Sequence, residues 1–510
     1  MFIICVGLFL DFTGILPTYL GWAAQIQFIP ALLALNLGVL AVLVVLALIF
    51  GRLYCSIICP LGIFQDMWSG LRGKKRKYKF WKQTKAVRAV RYGLLGIFAI
   101  MIIAGITSYA AVIEPYSAFG RMMTNLFSPI SDYINNQLAS AEAARESYTY
   151  FTIDIWIRGI SSFILAIITF IGLAVTSVLT GRGYCNTVCP VGTLLGFAGK
   201  FSLFKVRIDA DKCKGCRACA NKCKGHCIDI ATKSVDYERC VTCMNCLSTC
   251  KHEAIAYTPS LKAMIRQKGK IQPTEKAVDK SVDKPESREN AEETSTTERA
   301  EIRNDRRAFL MTTAAGAAGA LLCPALSSAE ETPEGSLADV SRKEAYPRET
   351  RITPPGSTGH TNFDRRCVGC MLCVRACHNN VLRAGKIAPE MSYERGYCRP
   401  TCNDCSTVCP TGAIREMTLE RKSSTQIGRA VWKFHDCINT TKSDSCKACM
   451  RACPNGSITF TESKGPNGKK IEIPVVDQER CIGCGACEYV CPARPVAAIH
   501  VEGNLQHREI

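Results

Sequence analysis

Apolar and polar positions divide this chain unevenly. Four long apolar runs, Phe2–Leu20, Phe28–Phe50, Gly93–Ile113 and Gly159–Leu179, fall within the first 180 residues, and the remainder is polar and rich in cysteine. A bilayer core of roughly 30 Å is crossed by about 20 apolar residues of helix, so the pattern predicts four membrane spans. Phe2–Leu20 is the least regular of them, interrupted by Asp11 and Pro17. Residues 259–304 show the opposite pattern: Lys, Glu, Ser and Thr with few large apolar side chains, which cannot bury a core and predict a disordered linker.

Charge orients the spans. Residues 71–92 hold ten Lys and Arg and no acid, whereas residues 114–156 hold two basic residues against five acidic ones. Basic loops stay on the cytoplasmic side, which places 71–92 inside, 114–156 outside and, after four spans, residues 201–304 in the cytoplasm. The net charge of +19 owes much to that one loop. It reads as a topology determinant lying against anionic headgroups, so the bilayer is the expected partner and nucleic acid is not.

The cysteines change the picture most. Of 31, 24 fall into six groups of four. Cys213, Cys216, Cys219 and Cys223 are spaced C-x2-C-x2-C-x3-C, as are Cys240, Cys243, Cys246 and Cys250; Cys367, Cys370, Cys373 and Cys377; and Cys481, Cys484, Cys487 and Cys491. Cys398, Cys402, Cys405 and Cys409 open with x3, and Cys437, Cys446, Cys449 and Cys453 with x8. This is the bacterial ferredoxin signature, in which three close thiolates hold one [4Fe–4S] cube and the fourth ligates the other cube of a pair. Structural zinc takes its four ligands as two separated pairs, and a third and fourth Cys at these intervals overfill such a site. Six clusters and single-electron transfer are therefore expected.

Crossed pairing predicts ligand sets Cys213, Cys216, Cys219 with Cys250, and Cys240, Cys243, Cys246 with Cys223. Further along, neighbouring groups paired the same way give Cys367, Cys370, Cys373 with Cys409; Cys398, Cys402, Cys405 with Cys377; Cys437, Cys446, Cys449 with Cys491; and Cys481, Cys484, Cys487 with Cys453. A nested arrangement, in which the first of these groups crosses to the last, stays open. Cys227, four residues past Cys223, is surplus.

Two more motifs frame these groups. Asn304-Asp305-Arg306-Arg307-Ala308-Phe309-Leu310, an Ala/Gly-rich apolar stretch through Leu326, and the small residues Ser327-Ser328-Ala329 form a twin-arginine export signal placed internally. Such a signal suits a domain that acquires its clusters before crossing the membrane. The second motif is a repeat: Gly51-Arg52-Leu53-Tyr54-Cys55-Ser56-Ile57-Ile58-Cys59-Pro60-Leu61-Gly62 returns as Gly181-Arg182-Gly183-Tyr184-Cys185-Asn186-Thr187-Val188-Cys189-Pro190-Val191-Gly192, with seven of twelve positions identical. Two copies related by a pseudo-twofold axis would bring Cys55, Cys59, Cys185 and Cys189 together as a seventh metal or redox site. A helix-ending turn with structural thiols is the alternative.

The architecture expected is a multidomain membrane protein. It comprises an all-α four-helix transmembrane domain (1–200), a cytoplasmic α+β ferredoxin domain with two clusters (201–258), the linker (259–304), the signal-like segment (305–329) and an exported four-cluster domain built of two such ferredoxin units (330–510). With GRxxCxxxCPxG twice, four helices and a ferredoxin pair, residues 1–258 resemble the NapH family of membrane quinol-dehydrogenase components. Residues 304–510 resemble NapG, its exported partner. The membrane half is also similar, more distantly, to NosR-type and CcoG-type proteins. The first resemblance implies electrons passing from quinol, menaquinol or ubiquinol, through the clusters to a periplasmic cytochrome c or reductase at the cytoplasmic membrane. The second implies the rival reading, a maturation factor supplying electrons or metal to a respiratory metalloenzyme. Quinol oxidation requires a proton acceptor, and Asp11 and Glu114 are the candidates because ionisable residues near membrane depth are costly.

Overall fold

Of the four apolar runs, one is an unbroken helix long and apolar enough to cross a bilayer: Ile160–Thr180, 21 residues, in the computed structural model. Among the described residues the other three runs are divided into shorter helices. Phe28–Phe50 divides into Phe28–Leu33 and Leu37–Phe50, because Asn36 caps the second helix by accepting from the Val39 amide. Gly93–Ile113 lies in a helix that begins earlier, at Lys85, and stops at Ile103, where Gly105 turns the chain through a φ of +78°. Phe2–Leu20 divides into Phe2–Leu10 and Ile15–Leu20. The structure describes residues 1–11, 15–71, 85–143, 152–259, 342–386, 388–441, 445–464 and 470–510. The linker, the twin-arginine segment and most of the basic loop lie outside these residues.

Each copy of the cysteine–proline repeat follows one of the apolar helices and leads into a short helix, Pro60–Gly70 or Pro190–Gly199. Proline at the first helical position presets φ and lacks only an amide that would have had no partner there. The Pro60–Gly70 helix lies along Ile160–Thr180, with Trp68 edge-on to Phe170 and Phe64 tilted against it.

The ferredoxin segments are small α+β units. In residues 201–259, Phe204–Ile208 pairs antiparallel with Ile255–Pro259, and Ile228–Asp229 with Ser234–Val235. In the C-terminal part, Thr425–Trp432 pairs with Ile499–Glu509, Ile458–Lys464 with Lys470–Val476, and Leu382–Ala384 with Pro389–Met391, all antiparallel. One apolar core joins the helical part to the C-terminal part: Phe9 and Phe119 belong to the same buried cluster as Met371, Val374 and Tyr393.

The two ferredoxin regions pack on opposite ends of the Ile160–Thr180 helix. At its C-terminal end the Thr180 carbonyl meets the His226 imidazole at 2.8 Å, and Arg182 takes the Lys224 carbonyl through its amide at 3.0 Å. At its N-terminal end Gly159 packs against Ala384, whose amide donates to the Arg158 carbonyl at 3.1 Å. At 1.5 Å per residue, the helix separates those contacts by about 30 Å.

Candidate iron–sulfur centres

The regular cysteine groups share one backbone device. Both residues flanking the second Cys have positive φ: Gly215 and Arg217, Thr242 and Met244, Gly369 and Met371, Gly483 and Gly485. A one-turn helix then carries the third Cys, as in Ala218–Lys222 and Leu372–Ala376. Alternating backbone handedness of this kind turns successive amides toward one concavity, which suits an anionic occupant. The two variant groups lack the device: Asn403 and Lys447, at the corresponding positions, have φ of −129° and −123°. Their longer openings reach the same three-thiol arrangement by another route.

The thiols gather across neighbouring groups. One cavity is lined by Cys240, Cys243 and Cys246 together with Cys223, and also by Cys227. A second is lined by Cys398, Cys402, Cys405 and Cys377, and a third by Cys481, Cys484, Cys487 and Cys453. Cys367, Cys370 and Cys373 lie close enough to Cys409 for their charges to interact, as Cys449 does with Cys437, Cys446 and Cys491. Cys219 interacts in the same way with Cys213 and Cys216, and Cys250 packs in the same apolar cluster as Cys219. Adjacent groups therefore meet. Four thiols around each cavity, with inward-turned amides in the regular groups, fit a cubane with four iron corners and a net negative charge.

Burial pushes the Cys246, Cys370, Cys449 and Cys484 thiols up to about 12. Without metal they are neutral at pH 7, and metal binding displaces their protons. Cys227 is the residue that spacing alone left without a place: its Sγ stands 3.3 Å from Cys223 Sγ. The two C-terminal ferredoxin units are joined near their cavities, where the Cys398 amide donates to the Cys484 carbonyl at 2.9 Å.

The repeated motif brings its parts together about a pseudo-twofold relation. Arg52 of the first copy donates to the Cys185 carbonyl (3.1 Å) and to Asn186 Oδ1 (2.6 Å) of the second. Arg182 of the second copy donates to the Cys55 carbonyl of the first (2.8 Å) and pairs with Asp66 at 2.6 Å. Cys55, Cys59, Cys185 and Cys189 are all buried, and their charges interact with one another.

Glu114 does not end a helix in water. It is 1 % exposed and caps the Pro115–Met122 helix by accepting from the Ser117 amide. Around it the C-terminal part docks: the Ser117 hydroxyl donates to the Val368 carbonyl, Ser108 to the Cys367 carbonyl at 3.1 Å, and Thr107 to the Arg365 carbonyl at 2.6 Å. Asp11 is a local cap. Its carboxylate accepts from the Leu16 amide at 2.9 Å, and its carbonyl from Arg375 Nε at 3.2 Å.

Comparison with known proteins agrees with this geometry. Residues 32–79 and 162–209 match a family described as a 4Fe-4S binding domain, and residues 366–441 and 443–494 match a 4Fe-4S dicluster domain. The methylamine utilization ferredoxin-type protein MauM of Paracoccus denitrificans is 33% identical over 166 residues, 31% of this chain and 73% of that protein. The ferredoxin-type protein NapG of Escherichia coli is 30% identical over 192 residues, 34% of this chain and 82% of that protein. NapF of the same organism is 27% identical over 154 residues, 30% of this chain and 87% of that protein. No solved structure matches. Fold and thiol sets define an iron–sulfur electron-transfer protein. The chain belongs to the ferredoxin-type family of MauM and NapG.

Proposed function

We propose that this chain is a quinol-linked electron carrier of the cytoplasmic membrane, delivering electrons through six [4Fe–4S] clusters to a periplasmic redox partner. The observation that carries the reading is the placement of a ferredoxin region at each end of Ile160–Thr180, a helix of 21 apolar-rich residues whose length matches a bilayer core. A carrier confined to one side of a membrane has no need of that arrangement.

The clusters supply single-electron acceptance and donation. The ligand sets are those of crossed pairing between neighbouring groups: Cys213, Cys216, Cys219 with Cys250, and Cys240, Cys243, Cys246 with Cys223, on the cytoplasmic side. On the other side stand Cys367, Cys370, Cys373 with Cys409; Cys398, Cys402, Cys405 with Cys377; Cys481, Cys484, Cys487 with Cys453; and Cys437, Cys446, Cys449 with Cys491. The protein's own residues fix their spacing. Ser56 donates to the Val241 carbonyl, between Cys240 and Cys243. Ser108 and Ser117 hold the Cys367–Val368 backbone. The Cys398–Cys484 backbone bond joins the next two sets.

Glu114 is the better of the two proton-acceptor candidates. It is buried beside the docked Cys367–Cys370 loop, and Arg121 donates to Ser117 Oγ at 2.7 Å within the same network. Asp11 is committed to capping. In the full-length chain purified anaerobically, a menaquinol analogue is expected to reduce the clusters, read by EPR, and Glu114→Gln to slow that reduction and change its pH dependence. Clusters that dithionite reduces and quinol does not would overturn the quinol assignment and favour the maturation reading.

A further inference from the structure

We propose that the Tyr116 hydroxyl donates a hydrogen bond to a sulfur of the cluster held by Cys367, Cys370, Cys373 and Cys409 and raises the reduction potential of that cluster. The inference rests on the electron-transfer reading of this thiol set and deepens it. Tyr116 belongs to the helical part and lies outside the segments that match iron–sulfur families.

The first argument is the docking geometry. Tyr116 lies in the first turn of the Pro115–Met122 helix, and Gly120, one turn later, shares its face. A Cβ at Gly120 would overlap the Cys370 carbonyl oxygen, so this face of the helix meets the cysteine loop without room for a side chain at the contact. Next to Tyr116 the Ser117 hydroxyl holds the Val368 carbonyl, and Ser108 holds the Cys367 carbonyl at 3.1 Å. Tyr116 therefore stands in the joint where the helical part touches this thiol set, in the same buried cluster as Cys367, Cys370 and Cys373. Phe9 packs against its ring, with centroids 5.9 Å apart.

The second argument is the hydroxyl. Tyr116 is 1 % exposed, and its oxygen has no hydrogen-bond partner among the described residues. A buried tyrosine usually gives its hydroxyl a partner, because a polar group stripped of water and left unpaired is costly. The other two buried tyrosines among the described residues follow that rule: Tyr54 donates to Gln27 Oε1 at 3.0 Å and Tyr393 to the Gly483 carbonyl at 2.8 Å. Near Tyr116 stand the Cys370 and Cys409 thiols, one from each group of the crossed set, and also Cys5 and Glu114. Glu114 already accepts from the Ser117 amide. A cluster bonded to Cys370 and Cys409 supplies thiolate and sulfide, charged acceptors that suit a hydroxyl donor.

The sign of the effect follows from charge. Reduction adds one electron to a cluster that is already anionic. A donor to its sulfur stabilises the reduced form more than the oxidised one, and hydrogen bonds to sulfur raise the potential in this way. The hydroxyl keeps its proton throughout, and only the electron moves. Electrons arriving from the helical part meet the Cys367 set first, at the joint that Ser108 and Ser117 fasten. A raised potential there makes that set a ready acceptor.

The test titrates the anaerobically purified full-length chain with dithionite and redox mediators, followed by EPR. Tyr116→Phe keeps the ring against Phe9 and removes the hydroxyl. It is expected to shift the midpoint potential of one centre downward, with iron and acid-labile sulfide as in wild type and the other centres unmoved. The shifted centre is expected to be the one that Cys409→Ser damages. Site-specific 3-fluorotyrosine at position 116 keeps ring and hydroxyl and makes the hydroxyl a stronger donor. It is expected to shift the same centre upward, and it serves where Tyr116→Phe fails to fold. Wild-type potentials in both proteins, or a shift confined to a centre that Cys409→Ser spares, would overturn the proposal. The titration involves no quinol. A Tyr116→Phe shift in a protein whose clusters quinol does not reduce would therefore sink the quinol reading and leave this one standing.

Discussion

Arg375 and Asp132 form a buried ion pair that fastens the C-terminal part to the helical part. Arg375 Nη1 lies 2.7 and 2.8 Å from the two oxygens of the Asp132 carboxylate, and both side chains are more than nine-tenths covered. Arg375 stands between Cys373 and Cys377, which belong to different thiol sets, so the joint and the clusters share one turn of helix. Asp132→Ala leaves the guanidinium buried and uncompensated, a loss of about 3–5 kcal/mol for pairs of this kind. The expected outcome is easier release of the C-terminal part, read as faster limited proteolysis and a lower first transition in a thermal melt. Unchanged proteolysis would show that the apolar contacts suffice.

Crossed pairing makes a prediction that reading along the chain would not. Cys409→Ser is expected to damage the cluster of Cys367, Cys370 and Cys373 before that of its own group, because Cys409 lies with the earlier thiols. Cys377→Ser is expected to damage the set of Cys398, Cys402 and Cys405, whose cavity Cys377 lines. EPR of the two variants after partial reduction distinguishes the sets. Loss of the signal belonging to each residue's own group would refute the pairing.

Gly485 has no room for a side chain. Its φ is +78°, and a Cβ there would enter the Tyr393 ring, whose hydroxyl is held by the Gly483 carbonyl at 2.8 Å. Gly485→Ala therefore combines backbone strain with a clash against a fully buried aromatic, each on the order of 1–3 kcal/mol. The variant is expected to lose iron from the Cys481, Cys484, Cys487 set faster on exposure to a chelator. Equal loss rates would mean that the ring moves aside freely.

Two histidines in the C-terminal part set an acid limit. Burial lowers both His500 and His507 to about 4, with Arg348 and Lys433 adding at the first and His360 at the second. In the unfolded chain each binds its proton near pH 6.5. Their contribution to stability is thus complete above pH 6.5 and is lost as the pH falls toward 4, because the unfolded state takes up protons that the folded state refuses. His507→Asn and His500→Asn are each expected to flatten the fall of melting temperature between pH 6.5 and 4. Wild-type slopes in both variants would exclude the histidines as its cause.

The spacing of cysteines was sufficient to give the cluster type, because the ligands of a cubane are local: in the four regular groups three of four lie within seven residues of chain. It also gave the small α+β character of the ferredoxin units, and the duplicated Gly-Arg-x-Tyr-Cys motif was visible by inspection. Which fourth thiol joins which three was left open between adjacent and nested arrangements, since that contact is made across the fold. The breaks at Asn36 and Gly105 had a local signal, a capping side chain and a glycine, which hydropathy averaged over a window passes over.

Other features had no sequence signal at all. Nothing in the order of residues indicates that Arg52 reaches Cys185 while Arg182 reaches Cys55, that Glu114 is sealed under the Cys367 loop, or that Cys227 lies against Cys223. These are contacts between segments more than a hundred residues apart, or between turns whose handedness is set by their neighbours. The sequence by itself determined the chemistry of this protein, because metal ligation is written in short intervals. The tertiary structure decided the order in which the thiol sets meet, because that order depends on which surfaces bury each other.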